Sequence, residues 1–204
     1  TPWADAPLAG AVGKLRPATS VMDPLRARAT VIQSGGDVIC LLALDVTIIC
    51  AEYTDRIRRG VEQRTGIDRD SIMVHATQTH SAPGIGQFML DEELLDRVPE
   101  GYEFLTGGDP EYADRAVDRA VEAVVEANES LQPVQVAAGH AMRDDLAFNR
   151  RGVRRDGSVG MPFPLSSFPN PLGRTGYLYL EGPIDPTVGL FCARTDDMRY
   201  PAMV

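Results

Sequence analysis

Residues 38–44 read VICLLAL, the longest apolar run in the chain. Its length fits one buried β-strand. A weaker alternation over 25–33 precedes it, and Ser34, Gly35, Gly36 and Asp37 between the two have turn chemistry. The pair therefore predicts a hairpin. From 51 to 65 the period changes: Tyr53, Ile57 and Val61 fall on one face, with Arg56, Arg58, Arg59 and Glu62 outward. That pattern predicts an amphipathic helix, stopped by Gly66. Residues 72–76 return to a short buried strand. The clearest helix is predicted from Pro110 to the region of Ser130, with Asp109 as N-cap and Pro110 in the first turn. Tyr112, Ala113, Ala116, Val117, Ala120, Val121, Val124 and Val125 form its apolar face. Asp114, Arg115, Asp118, Arg119 and Glu122 are expected to face water and pair with one another. Further strands are expected at 134–140 and 188–193, and a hairpin around Asp156-Gly157. The opening order of strand, strand, helix, strand predicts an α/β fold: a layered mixed β-sheet covered by helices.

Three stretches interrupt this pattern. Residues 1–24 hold Pro2, Pro7, Pro17 and Pro24 and read as an irregular opening segment. Residues 82–109 carry Pro83, Gly84, Gly86, Pro99, Gly101, Gly107 and Gly108, and a short helix is expected at 91–96. A connection of this length has the character of a lid or binding loop. Residues 160–183, rich in Pro, Gly, Ser and aromatics, read as a loop that covers an opening or meets a partner. The chain stops at Val204 just after what reads as the start of another strand, so the fold is expected to be incomplete at its C-terminus. No internal repeat is visible.

Composition narrows the classes. A chain of 204 residues with 44% hydrophobic and 24% charged residues is globular, as one large domain or two small ones. The net charge of −9 argues against a nucleic-acid or anionic-membrane surface. No apolar run has the length of a transmembrane helix. No signal peptide is visible from Thr1 onward, which leaves the compartment open, cytoplasmic or exported. A homo-oligomer is also left open. The three cysteines are far apart and form no CxxC pair, so neither a disulfide framework nor a zinc knuckle is readable. Cys40 reads as a small core residue.

The candidate chemistry concentrates at residues 71–86, SIMVHATQTHSAPGIG. A buried strand runs into a loop of Thr77, Gln78, Thr79, His80 and Ser81, then turns on Pro83, Gly84 and Gly86. Loops held by a rigid sheet are where catalytic groups gather. The alternative is a turn whose hydroxyls bond their own backbone. Asp45 ends the 38–44 run. It either caps the following helix or ends the strand, or else faces the same cleft as the Gln78–His80 loop. Arg150, Arg151, Arg154 and Arg155 crowd a short stretch of an acidic chain. They read as a solvated hairpin, or as a guanidinium reaching a carbonyl, carboxylate or phosphate. His140 reads as structural.

The local motifs are collinear with a known pattern. Thr1-Pro2 with Leu8-Ala9-Gly10, the 23–29 stretch DPLRARA, Leu42-Ala43-Leu44-Asp45, the 77–83 stretch TQTHSAP, Asn149-Arg150-Arg151 and the 182–186 stretch GPIDP follow one another in order. Together they resemble the N-terminal domain of the neutral/alkaline non-lysosomal ceramidase family, in particular its bacterial ceramidase-like relatives. The resemblance implies that residues 1–204 are the N-terminal part of a single ceramidase-like α/β hydrolytic domain. It implies hydrolysis of a linear amide by a zinc-bound water, with His80, Arg150 and Asp45 in catalytic positions. Gln78, Asn149 and Ser81 would contact substrate. The first histidine of the family's THTH motif is a zinc ligand, and here that position is Gln78, a poor ligand beside imidazole or thiolate. His80 would then be the best zinc ligand of this chain, with His75 next. The family's remaining zinc ligands would lie on a downstream C-terminal segment or second chain, the expected partner. The expected substrate is a small-molecule amide. Two alternatives stand beside this: an autoproteolytically processed N-terminal-nucleophile amidase without zinc, and a non-catalytic binding or assembly subunit.

Overall fold

The structure is a computed structural model that describes residues 1–10, 15–86, 92–100, 102, 108–161 and 176–204. The expected lid at 82–109 and loop at 160–183 therefore lie in part outside the described residues. The chain divides into two compact units, Thr1–Gln132 and Pro133–Val204.

The first unit is built on β1 (Ala27–Ser34), β2 (Asp37–Leu44) and β3 (Ile72–Ala76), in the spatial order β1-β2-β3. β1 and β2 form the expected hairpin, antiparallel from Ala27↔Leu44 to Ser34↔Asp37. β3 pairs with β2 in parallel, from Cys40↔Ile72 to Leu44↔Ala76. A parallel pair needs a crossover, and helix α1 (Ala51–Thr65) supplies it. The helix ends where Gly66, at φ 76°, donates its N–H to the Glu62 carbonyl. Helix α2 (Pro110–Glu129) starts as its sequence predicts: the Asp109 carboxylate accepts the N–H groups of Glu111 and Tyr112.

Alternation along β2 decides which face is covered. Cys40, Leu42 and Leu44 are buried, whereas Ile39 is 46% exposed. α1 and α2 pack on the buried face, where Ile57, Val61, Ala120 and Val124 are fully enclosed with Leu42 and Ile72. Two arginines expected on the solvent face of α1 are tied down instead. Arg58 donates to the Ile72 carbonyl at 3.0 Å, and Arg56 meets Asp114 of α2 at 2.7 Å. Burial lifts the Cys40 thiol to about 11, which makes it an inert core group.

The second unit holds β4 (Gln135–Met142), β5 (Gly152–Arg154), β6 (Val159–Gly160), β7 (Tyr177–Leu180), β8 (Thr187–Arg194) and β9 (Ala202–Met203). They form two three-stranded sheets, ordered β4-β8-β9 and β6-β5-β7, with every described pairing antiparallel. β7 falls where composition predicts loop. Its residues YLYL form a strand because β5 pairs with them across the sequence gap, a non-local partner that composition does not reveal. No helix is described in this unit, and β4 is exposed along its whole length.

Truncating Ile57, which is fully buried between the helices and β2, should leave a cavity and cost about 2–5 kcal/mol. Met73→Ala, at a side chain 58% exposed, should cost little by comparison. Denaturant unfolding of the two variants checks the ordering.

Candidate functional site at the ends of β2 and β3

The parallel pairing of β2 and β3 does not stop at the strand ends. Thr77 donates its N–H to the Leu44 carbonyl at 3.0 Å, and Thr79 donates to the Val46 carbonyl at 3.2 Å. The hydroxyl of Thr47, a residue only 8% exposed, lies 2.7 Å from the Thr79 carbonyl and 2.9 Å from the Ala82 carbonyl. Backbone bonds Thr47 N–H to Pro83 O, Ile85 N–H to Ile48 O and Cys50 N–H to Ile85 O continue the lacing. Two strand exits are thus sewn into one rigid ledge, and Ala82 to Ile85 are buried beneath it.

On this ledge Thr77, Gln78, His80 and Ser81 are exposed. Thr77 and Thr79 share a hydroxyl–hydroxyl hydrogen bond of 2.8 Å. Gln78 has φ 57°, the left-handed region that side chains avoid. Strained backbone persists where the surroundings over-determine it, commonly at functional loops. The opening segment clamps His80. Arg16 donates to its carbonyl at 2.9 Å, and Ala9 donates to the Ala82 carbonyl at 2.9 Å. Gly10, at φ 87°, lies so close that a Cβ there would stand 2.7 Å from the imidazole Cγ and 2.8 Å from Nδ1. The imidazole therefore lies against backbone on one side.

Asp45 turns the other way, toward β1. Its carboxylate takes the Arg28 guanidinium at 2.7 Å and the Arg26 backbone N–H at 3.0 Å. Partial burial pushes its pKa up, but the Arg28 and Arg26 contacts outweigh that and hold it below the usual carboxylate value. It does not cap α1, whose N-cap is Cys50. It lines a cavity of about 320 Å³ between the ends of β1 and β2 and the side of α2. Gln78 and His80 do not line this cavity, and no hydrogen bond joins Asp45 to His80 among the described residues. Asp45 thus ends its strand, one of the readings the sequence allows, and the cavity it lines is separate from the exposed Gln78–His80 ledge.

The cavity also brings in residues that the sequence pattern assigned elsewhere. Arg115, Arg119 and Glu122, expected to face water only, line it together with Tyr112 and Glu126. Arg119 and Glu122 pair at 2.7 Å, as their spacing predicts. Burial pushes the Tyr112 phenol up, Arg115 draws it down, and Asp45 adds to the rise.

Arg150 and Asn149 belong to the second unit. Arg150 is exposed and has no ion pair with a described residue. Both ends of the Asn149 amide are engaged: Oδ1 accepts the Arg151 N–H at 2.8 Å and Nδ2 donates to the Pro183 carbonyl at 3.3 Å. Its local work is to hold the hairpin approach to β5. His75 and His140 are exposed on β3 and β4. Among the described residues no three His, Cys, Asp or Glu side chains converge as metal ligands. A lone imidazole at His80 falls short of the three or four protein ligands zinc takes, so the described residues do not fit a zinc centre by themselves.

Neither a protein-family model nor any curated protein sequence matches the chain. Solved structures do. The neutral ceramidase from Pseudomonas aeruginosa superposes with a TM-score of 0.62 at 20% identity, over 98% of this chain and 28% of that one. A ceramidase complexed with C2 superposes with a TM-score of 0.55 at 21% identity, over 87% of this chain and 24% of that one. This chain has a ceramidase-like fold. It spans about a quarter of the length of those ceramidases. The ceramidase likeness extends over both units, since 98% of 204 residues cannot be reached by either alone.

Two outcomes test this geometry. Because the Asp45 pKa is lowered on folding, its contribution is present above the ordinary carboxylate range and is lost as pH falls through the lowered value. Asp45→Asn should cost about 2 kcal/mol at neutral pH and flatten that part of the acid limb in unfolding measured against pH. Gly10→Ala combines left-handed strain of about 1–2 kcal/mol with overlap of the imidazole. It should shift the His80 ring resonances in side-chain NMR while those of His75 stay in place.

Proposed function

We propose that this chain forms part of a ceramidase-like amidohydrolase that cleaves linear amide bonds. The observation that carries the reading is the ledge at the ends of β2 and β3. There an exposed His80 is fixed by Gly10 and Arg16 beside a left-handed Gln78, on a ceramidase-like fold. Hydrolysis adds water across the C–N bond: the carbonyl carbon gains the oxygen and the leaving nitrogen gains a proton. His80 is assigned both transfers, taking a proton from the attacking water and returning one to the amine. Gln78 and Ser81, exposed beside it, are assigned hydrogen bonds to substrate. Arg150, by the resemblance, is assigned the role of a guanidinium able to hold an oxyanion. Asp45 is assigned the ordering of Arg28 and the β1 end. The rest of the site is proposed to come from a C-terminal segment or second chain, supported by the 28% share of the Pseudomonas aeruginosa enzyme that this chain spans. Any zinc would be held mainly by that part and would supply an activated water.

A non-catalytic binding or assembly role is the second reading, favoured by Gln78 standing where the family's zinc histidine is expected. Hydrolysis of a long-chain N-acyl amine by the purified native assembly separates the two. His80→Ala should lower kcat/KM at least about a hundredfold. Unchanged turnover in that variant rejects the role of His80, and no turnover by the wild-type assembly favours the binding role.

A further inference from the structure

The cavity beside α2 contains one polar group that nothing in the fold accounts for. Tyr112 is only 4% exposed, yet its hydroxyl has no hydrogen-bond partner among the described residues. The oxygen is not sealed inside the core, so a partner can reach it. Tyr112 lines the cavity, and its phenol feels the charges of Arg115 and Asp45 on the same walls. Its natural partner is therefore something inside.

The charges on the walls say what that is. Asp45 is already matched by Arg28, and Glu122 by Arg119. Three lining side chains have no ion pair among the described residues: Arg26, Arg115 and Glu126. Arg115 spends one N–H on the Thr1 carbonyl and lies over the Trp3 ring, and its remaining donors are free. The Arg26 side chain makes no hydrogen bond or ion pair with a described residue, although its charge also acts on Asp45. Two cations against one anion leave a single positive charge unmatched. Leu44, Val46, Ile85 and Ala116 add an apolar wall.

We infer that this cavity binds a small monocarboxylate with a short apolar tail, its oxygens taken by the Tyr112 hydroxyl, Arg115 and Arg26. A volume of about 320 Å³ sits at the lower end of the range for ligand clefts. The site is independent of the amide-hydrolysis reading, because Gln78 and His80 do not line it.

The test is titration of the full chain with hexanoate, and separately with hexylammonium, followed by calorimetry and backbone NMR. Hexanoate should bind at one saturable site, with shifts at 44–46 and 112–119, and should be preferred over hexylammonium. Tyr112→Phe, which removes only the hydroxyl, should weaken hexanoate roughly tenfold without lowering Tm. Arg26→Gln, at an exposed side chain that leaves the backbone bond to Asp45 intact, should do the same. Absence of saturable hexanoate binding, equal binding of hexylammonium, or wild-type affinity in both variants would overturn the inference.

Discussion

The Thr47 hydroxyl, within 3 Å of two carbonyls of the neighbouring loop, is the joint on which the first unit's exposed chemistry depends. Parallel strands share no turn, so nothing in the pairing itself fixes the segments that leave it. Here β2 and β3 part company at Leu44 and Ala76, and the chain must hold two divergent exits in register. It does so by continuing backbone hydrogen bonding beyond the sheet, with the Thr47 hydroxyl added among those bonds. A hydroxyl with only 8% of its residue exposed keeps those bonds away from competing water. Everything above it, including the left-handed Gln78 and the clamped His80, inherits that rigidity.

The β1 side of the same strand end shows a different use of charge. Asp45 closes an apolar strand, a costly place for a carboxylate. The cost is offset because β1 delivers both a guanidinium and a backbone N–H to it. The same pairing removes Asp45 as a free acceptor, and Arg26 and Arg115 of the cavity are left without an ion pair among the described residues. One strand end therefore makes two dissimilar surfaces, a polar ledge on the β3 side and a hollow lined by charges of both signs on the β1 side.

The helices were legible in the sequence because each carries its own full set of signals. For α1 these are the Ile57–Val61 stripe and Gly66, and for α2 they are Asp109, Pro110 and the valine-rich face. β1, β2 and β3 were legible from apolar alternation and the Gly35–Gly36 turn. β7 was not, since its strand character comes from β5 across a gap in sequence. The site was legible in half. A polar loop after a strand marks the ledge, and the collinear motifs match a fold that superposes over 98% of the chain. The cavity was not, because periodicity tells which α2 residues leave the core but not what stands opposite them. Arg115 and Arg119 are exposed, as a helical wheel expects, and also line the cavity that Asp45 lines. Nor does any local pattern mark Thr47, whose partners lie more than thirty residues away.

The uncovered β4–β8 sheet has a consequence for how the molecule behaves as a colloid. Val136, Met142, Val188 and Leu190 are each roughly half exposed or more, at 59%, 64%, 46% and 48%. By the register Val136 and Met142 lie on one face of the sheet and Val188 and Leu190 on the other, so each face offers apolar side chains that attract their like on another copy. What opposes contact is the shared negative charge of −9. That repulsion reaches about 30 Å at 0.01 M salt but only about 8 Å at physiological ionic strength, whereas apolar attraction is not screened in this way. Ionic strength therefore sets which force governs an encounter between two copies: dilute buffer keeps them dispersed, and concentrated salt favours clustering through this sheet.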